Sequence, residues 1–447
     1  MCGFIVTNLP EVDFTYANRF VRRRGPDQTS LTEVGGVTFL HNVLSITGEL
    51  TLQPFLDDDL ACLHNGEIYN YKNFGQFPSD GYCLLPAFRK YGKYFVNELD
   101  GEFAIVLYDQ MNQKLRLYTD VFGTKPIHYG VDTRNFVVAS YASAIKALGI
   151  TEVKKIPANT MVEIDIEDGS VDIESGLFRF DLEQFKEGFD DWEAAFRESI
   201  AKRTRETSEQ IFIGLSSGYD SGAIHSELNS QGVTYKSYSL LGIEDRAVLE
   251  QRLQFVSKYG DAELISPAKE DLEQARQHIK KNIEETRLCI FSGGTGHVET
   301  PMLFQDGGAV GLCLICDRAR QEGKKLYLSG QGADEILSDY GFGGKRFYPH
   351  SNFGGLFPED LSEIFPWASF YGSSQEAYLI KEEYVAGSFG IETRYPYLDK
   401  RVVQEFLNLS HTLKNSAYKS ALDHYLRARN YPTLFNEKVG FAPRSDQ

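Results

Sequence analysis

The stretch Ile211-Phe-Ile-Gly-Leu-Ser-Ser-Gly-Tyr-Asp-Ser221 reads as a short apolar strand running into small residues, then an aspartate, then the start of a helix. Such a turn aims backbone N–H groups out of a helix N-terminus, a ready site for an anion. It lacks the Gly-Lys-Ser/Thr ending of a Walker A loop. Outward from it, helical stretches over 222–230 and 247–259 alternate with apolar strands over 235–240, 263–265 and 325–329. That alternation predicts a parallel sheet wrapped by helices.

The first part of the chain has a different texture. Short β-type runs fall at 3–7, 37–40, 61–64, 103–108, 114–119, 136–140 and 161–166, with turns such as Gly25-Pro26-Asp27 and Asp168-Gly169 between them. With one helix-like stretch at 83–94, this predicts a β-rich α+β domain. Between 181 and 205, Phe185, Phe189, Trp192, Ala195, Phe196 and Ile200 recur at helical spacing, and the domain boundary is placed there. The glycine-rich Ser292-Gly-Gly-Thr-Gly296 follows no convincing strand, so it is a weak phosphate loop.

Composition bounds the function. The chain has 447 residues, 42% hydrophobic and 24% charged, which excludes a fibrous or disordered protein and predicts two or three domains. A formal net charge of −17 repels nucleic acid and anionic bilayers, so neither is an expected partner. No run approaches the ~18 consecutive apolar residues of a membrane span. Met1-Cys-Gly-Phe-Ile-Val6 has no charged region ahead of an apolar core, so a cytoplasmic location is expected. Six irregularly spaced cysteines argue against a disulfide framework, and the lone C-x-x-C of Cys313 and Cys316 reads as one face of a buried helix.

Removal of Met1, which a small second residue permits, leaves Cys2 with a thiol and a free α-amine, nucleophile and general base in one residue. Arg22-Arg-Arg-Gly-Pro-Asp27, His64-Asn-Gly-Glu-Ile-Tyr-Asn70 and Ser79-Asp80 accompany it. Together these segments resemble class II glutamine amidotransferase domains of the N-terminal-nucleophile type. The resemblance implies an α+β glutaminase domain over residues 1–180, with stacked antiparallel sheets between helices. In it Cys2 attacks the glutamine side-chain amide, Asn65 and the Gly66 N–H form the oxyanion hole, and Glu67 and Asp80 hold the glutamine α-amino group. Read alone, Asn65-Gly66 is also a common β-turn pair. Where the family carries an arginine for the glutamine carboxylate, before Leu44-Ser45-Ile46, this chain has Val43. Losing that charge-assisted partner weakens glutamine binding by roughly a few kcal/mol unless Arg22 or Arg24 substitutes.

The 211–221 stretch resembles the PP-loop of ATP pyrophosphatases, Ser-Gly-Gly-x-Asp-Ser, with Ser217 at the first glycine. This implies an α/β synthetase domain over 186–447, with ATP on Leu215, Ser216, Ser217, Gly218, Asp220 and Ser221. Asp220 would hold Mg²⁺ against the pyrophosphate. Leu328-Ser-Gly-Gln-Gly-Ala-Asp-Glu335 resembles the second nucleotide loop of the asparagine synthetase family, with Gly330 at ATP and Asp334 on Mg²⁺. Ile391-Glu-Thr-Arg-Tyr-Pro-Tyr-Leu-Asp-Lys400 resembles the box that follows in that family. Lys438 takes the place of a lysine that stabilises charge on phosphorus, and Lys419 is a further phosphate contact.

Over nearly the whole chain the order of motifs resembles glutamine-hydrolysing asparagine synthetase. That implies two sites joined by an ammonia channel: glutamine gives ammonia at one, and a carboxylate is adenylated and then amidated at the other. Two features set this chain apart. The family loop reads Ser-Gly-Glu-Gly, with a glutamate that manages the proton as ammonia attacks, and here Gln331 replaces it. An amide cannot be a general base, so proton removal falls to another group, with Glu392 the candidate, or to the substrate. The chain also ends at Gln447, sooner after Lys438 than such enzymes do. The reading is therefore a glutamine-dependent ligase for a specialised acid, such as a biosynthetic intermediate or sugar uronate. The alternatives are asparagine synthetase acting on aspartate, and an inactive glutamine- or nucleotide-sensing protein. A homodimer is the default assembly.

Overall fold

The computed structural model describes residues 2–205, 207, 211–242, 244–256, 260–292 and 296–435. The chain divides into two compact units. One is Met1–Arg179 with Asn282–Glu284 and Gly387–Ile391; the other is Phe180–Lys281 with Glu285–Ala386 and Glu392–Gln447.

The strands of the first unit are β1 (Gly3–Thr7), β2 (Gln28–Val34), β3 (Val37–Val43), β4 (Phe55–Asp57), β5 (Leu60–Ile68), β6 (Gly101–Asp109), β7 (Lys114–Thr119), β8 (His128–Asp132), β9 (Asn135–Ala139), β10 (Lys154–Lys155), β11 (Thr160–Asp165) and β12 (Val171–Ser175). They form two antiparallel sheets, ordered β10-β8-β9-β1-β3-β2 and β12-β11-β7-β6-β5-β4. Phe4, Phe39 and Val138 of the first sheet share one core with Leu63, Ala104, Val106 and Leu117 of the second. Along β6 the alternate residues Phe103, Ile105 and Leu107 turn to the opposite face and pack with Leu84, Leu85 and Ala87 of a helix. Period-two alternation with both faces apolar is what a sheet sandwiched between two layers requires. The helices of this unit are α1 (Thr15–Val21), α2 (Leu84–Tyr91) and α3 (Ala142–Ala147). The late segment 387–391 belongs to this unit: a Cβ on Gly387 would come within 2.8 Å of the Arg24 guanidinium, and one on Gly390 within 2.8 Å of the Pro26 ring.

The second unit carries β13 (Ile211–Gly214), β14 (Tyr235–Leu240), β15 (Gly260–Ile265), β16 (Arg287–Ser292), β17 (Gly296–Met302), β18 (Leu326–Leu328), β19 (Gly341–Phe342), β20 (Lys345–Arg346) and β21 (Glu392–Arg394). Its helices are α4 (Asp190–Thr204), α5 (Tyr219–Gln231), α6 (Arg246–Gln254), α7 (Lys269–Asn282), α8 (Gly307–Gln321), α9 (Ala333–Leu337), α10 (Ala368–Tyr371), α11 (Ser374–Gly387), α12 (Lys400–Leu407), α13 (His411–Lys414) and α14 (Ser420–Ala428). The parallel sheet runs β15-β14-β13-β18-β21. The chain leaves β13 toward one edge and later returns on its other side. The reversal therefore lies between β13 and β18, and in open α/β sheets the crevice at the carboxyl ends of such a strand pair is where ligands bind.

Three expectations change. The helix expected from residue 181 starts at Asp190, and Phe185 is exposed. The amides of Phe185 and Lys186 instead donate to the Asn408 carbonyl, which holds that segment extended. Ser292 and Gly296 do follow a strand, at the ends of the β16–β17 hairpin, and residues 293–295 lie outside the described residues. The helix expected over 247–259 spans only Arg246–Gln254. Cys313 and Cys316 are buried along α8, and burial pushes the Cys313 thiol up to about 12.

Asp399 closes the α4–α12 junction. Its carboxylate caps α12 at Arg401 N–H and accepts from Lys202 at 2.5 Å and Arg203 at 2.8 Å. Burial alone would raise its pKa, but the two cations hold it well below the usual carboxylate range. Its contribution to stability is thus present above the unfolded value near 4 and is lost as pH falls through the lower folded value. Asp399→Asn, which leaves two buried cations underpaired, is expected to lower the unfolding free energy by about 3 kcal/mol in urea titrations at pH 7.

Candidate active sites

Cys2 leads into β1 and is buried. Its backbone nitrogen donates to Asn65 Oδ1 at 2.6 Å, and its carbonyl accepts from the Arg24 guanidinium at 3.1 Å. Arg24 also donates to the Tyr141 hydroxyl at 2.8 Å. Arg24 therefore anchors the Cys2 segment. Val43 is itself buried at the end of β3, and Arg22 is exposed.

Asn65 and Gly66 lie inside β5 and not in a turn. Gly66 has φ +135°, and a Cβ there would sit 1.9 Å from the Glu102 carbonyl, so only glycine fits. The Asn65 Nδ2 atom is buried with no hydrogen-bond partner among the described residues. Leaving a buried amide donor unpaired costs about 1–3 kcal/mol. A donor held ready beside a nucleophile is what a developing oxyanion needs. Glu67 follows on the same strand, buried opposite Glu102. Asp80 Oδ2 accepts from Ile68 N–H at 2.8 Å and lies 3.3 Å from His64 Nε2. Burial by itself would raise the Asp80 pKa, but His64 and the amides of Ile68 and Gly81 keep it below the ordinary value. Cys2, Asn65, Gly66, Glu67 and Asp80 thus all stand on β5 or in contact with it.

The second site is built where β13 and β18 diverge. Past Leu215, the Ser216 N–H and hydroxyl both meet the Ser221 hydroxyl, at 2.9 and 2.8 Å, and the Gly218 N–H meets the Ser216 hydroxyl at 3.2 Å. Ser217 is tied differently: its N–H and hydroxyl both donate to Glu244, at 2.6 and 2.5 Å. The buried Arg252 guanidinium grips the Gly218 carbonyl from beneath at 2.8 Å. Asp220, in the first turn of α5, and Asp334, in α9, share the Lys419 ammonium at 2.6 and 2.7 Å. Lys419 is buried in a left-handed conformation, φ +49°, just ahead of α14. Tyr418 donates to Asp334 at 3.1 Å, and Tyr397 to the Asp220 carbonyl at 2.7 Å. Gly330 packs against Asp220, where a Cβ would lie 3.0 Å from the Asp220 Cβ.

This donor set fits Mg²⁺: two hard carboxylates from separate segments already converge on one positive charge. Among the described residues no cluster of three or more His, Cys, Asp or Glu side chains forms a metal site, so phosphate oxygens and water would complete the shell. Lys419, expected as a phosphate contact, lies between the two carboxylates. Glu392 is not brought to the loop either. It opens β21 opposite Leu326, two residues below Leu328, and is locked to Arg394 at 2.7 Å. An acid held by a guanidinium is a poor proton acceptor, which corrects the expectation for Glu392. Lys438 lies outside the described residues.

Residues 1–180 match the glutamine amidotransferase domain family, and residues 191–370 match the asparagine synthase family. The chain is an asparagine synthetase-like glutamine amidotransferase. Its relatives include the putative asparagine synthetase [glutamine-hydrolyzing] 1 of Methanocaldococcus jannaschii, 25% identical over 84% of this chain and 70% of the relative. Asparagine synthetase B of Escherichia coli is 23% identical over 92% of this chain and 74% of its own. Amidase chyE of Penicillium rubens is 23% identical over 72% of this chain and 54% of its own. As an amidotransferase of this type the chain is an ATP-dependent carbon–nitrogen ligase that draws nitrogen from glutamine. Among the described residues no helix is long and apolar enough to cross a membrane.

Several residues of this asparagine synthetase-like framework carried no signal in the sequence. Tyr141 holds the arginine that fixes Cys2; Glu244 and Arg252 shape the loop after β13; Tyr418 steadies Asp334. Arg24 sat inside a quoted motif, and so did Tyr397. Phe196 on α4 stacks on its ring at 5.3 Å and so aims its hydroxyl at Asp220.

Proposed function

We propose that this chain amidates a carboxylic acid other than aspartate, using ATP and glutamine, with a glutaminase domain over residues 1–180 and a synthetase domain over 186–447. The convergence of Asp220, Asp334 and Lys419 from three distant segments carries this reading. It gives the second unit a charged centre at the mouth of a parallel sheet, where a nucleotide phosphate is expected.

In this reading the Cys2 thiolate attacks the glutamine amide, its own α-amine accepts the thiol proton, and Asn65 Nδ2 with the Gly66 N–H receives the oxyanion. Glu67 and Asp80 orient the glutamine α-amino group. At the second site the loop Leu215, Ser216, Ser217, Gly218 and Ser221, with Gly330, cradles ATP. Asp220 and Asp334 would hold Mg²⁺, which when bound neutralises charge on the pyrophosphate leaving group. Lys438 would steady charge at phosphorus. The acid becomes an acyl-adenylate, and ammonia from Cys2 displaces AMP. Gln331 is why aspartate is not the preferred acceptor: a site without the loop glutamate is tuned to another substrate.

The test supplies ATP, Mg²⁺ and saturating ammonium with a panel of carboxylic acids that includes aspartate, amino acids and uronates, and follows AMP and amide by mass spectrometry. One acid of the panel is expected to exceed aspartate by at least about tenfold in kcat/KM. Asparagine as the best product would return the chain to ordinary asparagine synthesis. Glutamine and ATP bound without turnover would mark a sensing protein.

A further inference from the structure

The loop Leu328–Glu335 lacks its proton-accepting glutamate, yet amide formation still releases a proton, so another acid must serve. The acids to weigh are Glu335 of the loop and Glu392 of the neighbouring strand β21, both buried, and Glu382 of α11, half-buried with one carboxyl oxygen closed off. Glu392 is neutralised by Arg394, and Glu335 accepts from the Tyr340 hydroxyl. Glu382, on α11, is different. Its carboxyl faces the Ser329 hydroxyl, and its Oε2, closed off from solvent, has no hydrogen-bond partner among the described residues. Ser329 also receives the Gln331 N–H at 3.0 Å. The Glu382 carboxyl therefore sits one residue from Gly330, which touches Asp220, and within one bridging hydroxyl of the position where the glutamate is missing.

We propose that Glu382 is the general base of amide formation in this chain, supplied by helix α11 in place of the loop. The inference rests on the acyl-adenylate reading above. The ammonia lone pair attacks the acyl carbon and forms the C–N bond. One N–H proton passes to the Glu382 carboxylate, and the C–O bond to AMP breaks with its electron pair leaving on the phosphate. Glu382 then returns the proton to solvent.

The surroundings suit the role. The charged and titratable groups that face Glu382 are Lys381 and Glu383 of its own helix, Glu335 of α9, Tyr327 of β18 and Cys316 of α8. Lys381 is held by Asp306 at 3.2 Å. Burial, outweighing the Ser329 bond and Lys381, pushes Glu382 up to about 7, where a carboxylate takes a proton readily and gives it back.

The test uses the full chain, the acid selected from the panel above, and two readouts: ATP–pyrophosphate exchange without a nitrogen source, and amide formation with saturating ammonium. Glu382→Gln is expected to keep exchange within about threefold while amide formation falls about 10²–10⁴-fold. The double variant Glu382→Gln, Gln331→Glu is expected to recover at least about tenfold of the amide rate, because it returns a carboxylate to the loop. Unchanged amide formation in Glu382→Gln would overturn the proposal. So would a parallel fall in exchange and amide formation, which marks a structural role. If the unmodified chain exchanges pyrophosphate with no acid of the panel, the adenylate reading itself fails and takes this inference with it.

Discussion

Cys2→Ala is expected to abolish glutamine-driven amide formation, by at least about 10⁴-fold, while ammonium-driven formation stays within about twofold of the unmodified chain. No other group in the first unit replaces a thiolate at the end of β1. In the proposed reading Asn65 and Gly66 would receive the developing charge but form no bond to carbon. Folding should survive the change, because the backbone nitrogen and carbonyl of residue 2, which Ala retains, hold this segment to Asn65 and Arg24. Glutamate release from glutamine, with amide formation from ammonium measured beside it, separates the two effects. A parallel loss of both would show that Cys2 serves structure. Glutamine hydrolysis that persists would place the nucleophile elsewhere.

The second large effect belongs to the paired carboxylates. Asp220→Asn or Asp334→Asn is expected to reduce ATP–pyrophosphate exchange at least about 10³-fold while glutamine hydrolysis at Cys2 is unchanged. The amide keeps the shape of the side chain and still accepts from Lys419, so the fold is retained, but it is a poor ligand for a hard cation. In each variant the remaining carboxylate continues to neutralise the Lys419 ammonium, which limits the loss of stability. Exchange measured over a Mg²⁺ titration decides the matter: a curve displaced to higher Mg²⁺ marks a ligand, whereas an equal loss at every concentration does not.

What the sequence made legible follows from where chemistry forces residue type. β1 and β7 were read with their observed bounds because β1 carries the apolar run Phe4-Ile5-Val6 and β7 alternates Leu115 and Leu117 with Lys114 and Arg116, whereas the edge strands β2 and β12, rich in exposed polar residues, carry no comparable pattern. The nucleotide loops stood out because glycine and aspartate at fixed spacing have few other uses. Lys419 was legible only as a basic residue, and its meeting with Asp220 and Asp334 arises from packing α14 against α5. Glu382 lies in a helix of ordinary composition, and only its closed-off oxygen near Ser329 distinguishes it from a surface acid. Phe185 misled because its spacing to Phe189 and Trp192 is helical, while the Asn408 carbonyl had already taken its amide.

The strand-and-helix order of the first unit is complete by residue 179, yet the unit also takes in residues 387–391, with Gly387 lying against the arginine that clasps Cys2. During synthesis at about 5–20 residues per second, roughly 10–40 s separate the emergence of Arg179 from that of Ile391. Through that interval the nucleophile's clasp lacks its last neighbour. By the time it is complete, β13, β18, Asp220 and Asp334 have all been made. The order of translation thus brings the first unit to its finished packing only when most of the second unit exists, so a chain cut short in the second unit would lack this neighbour of Arg24.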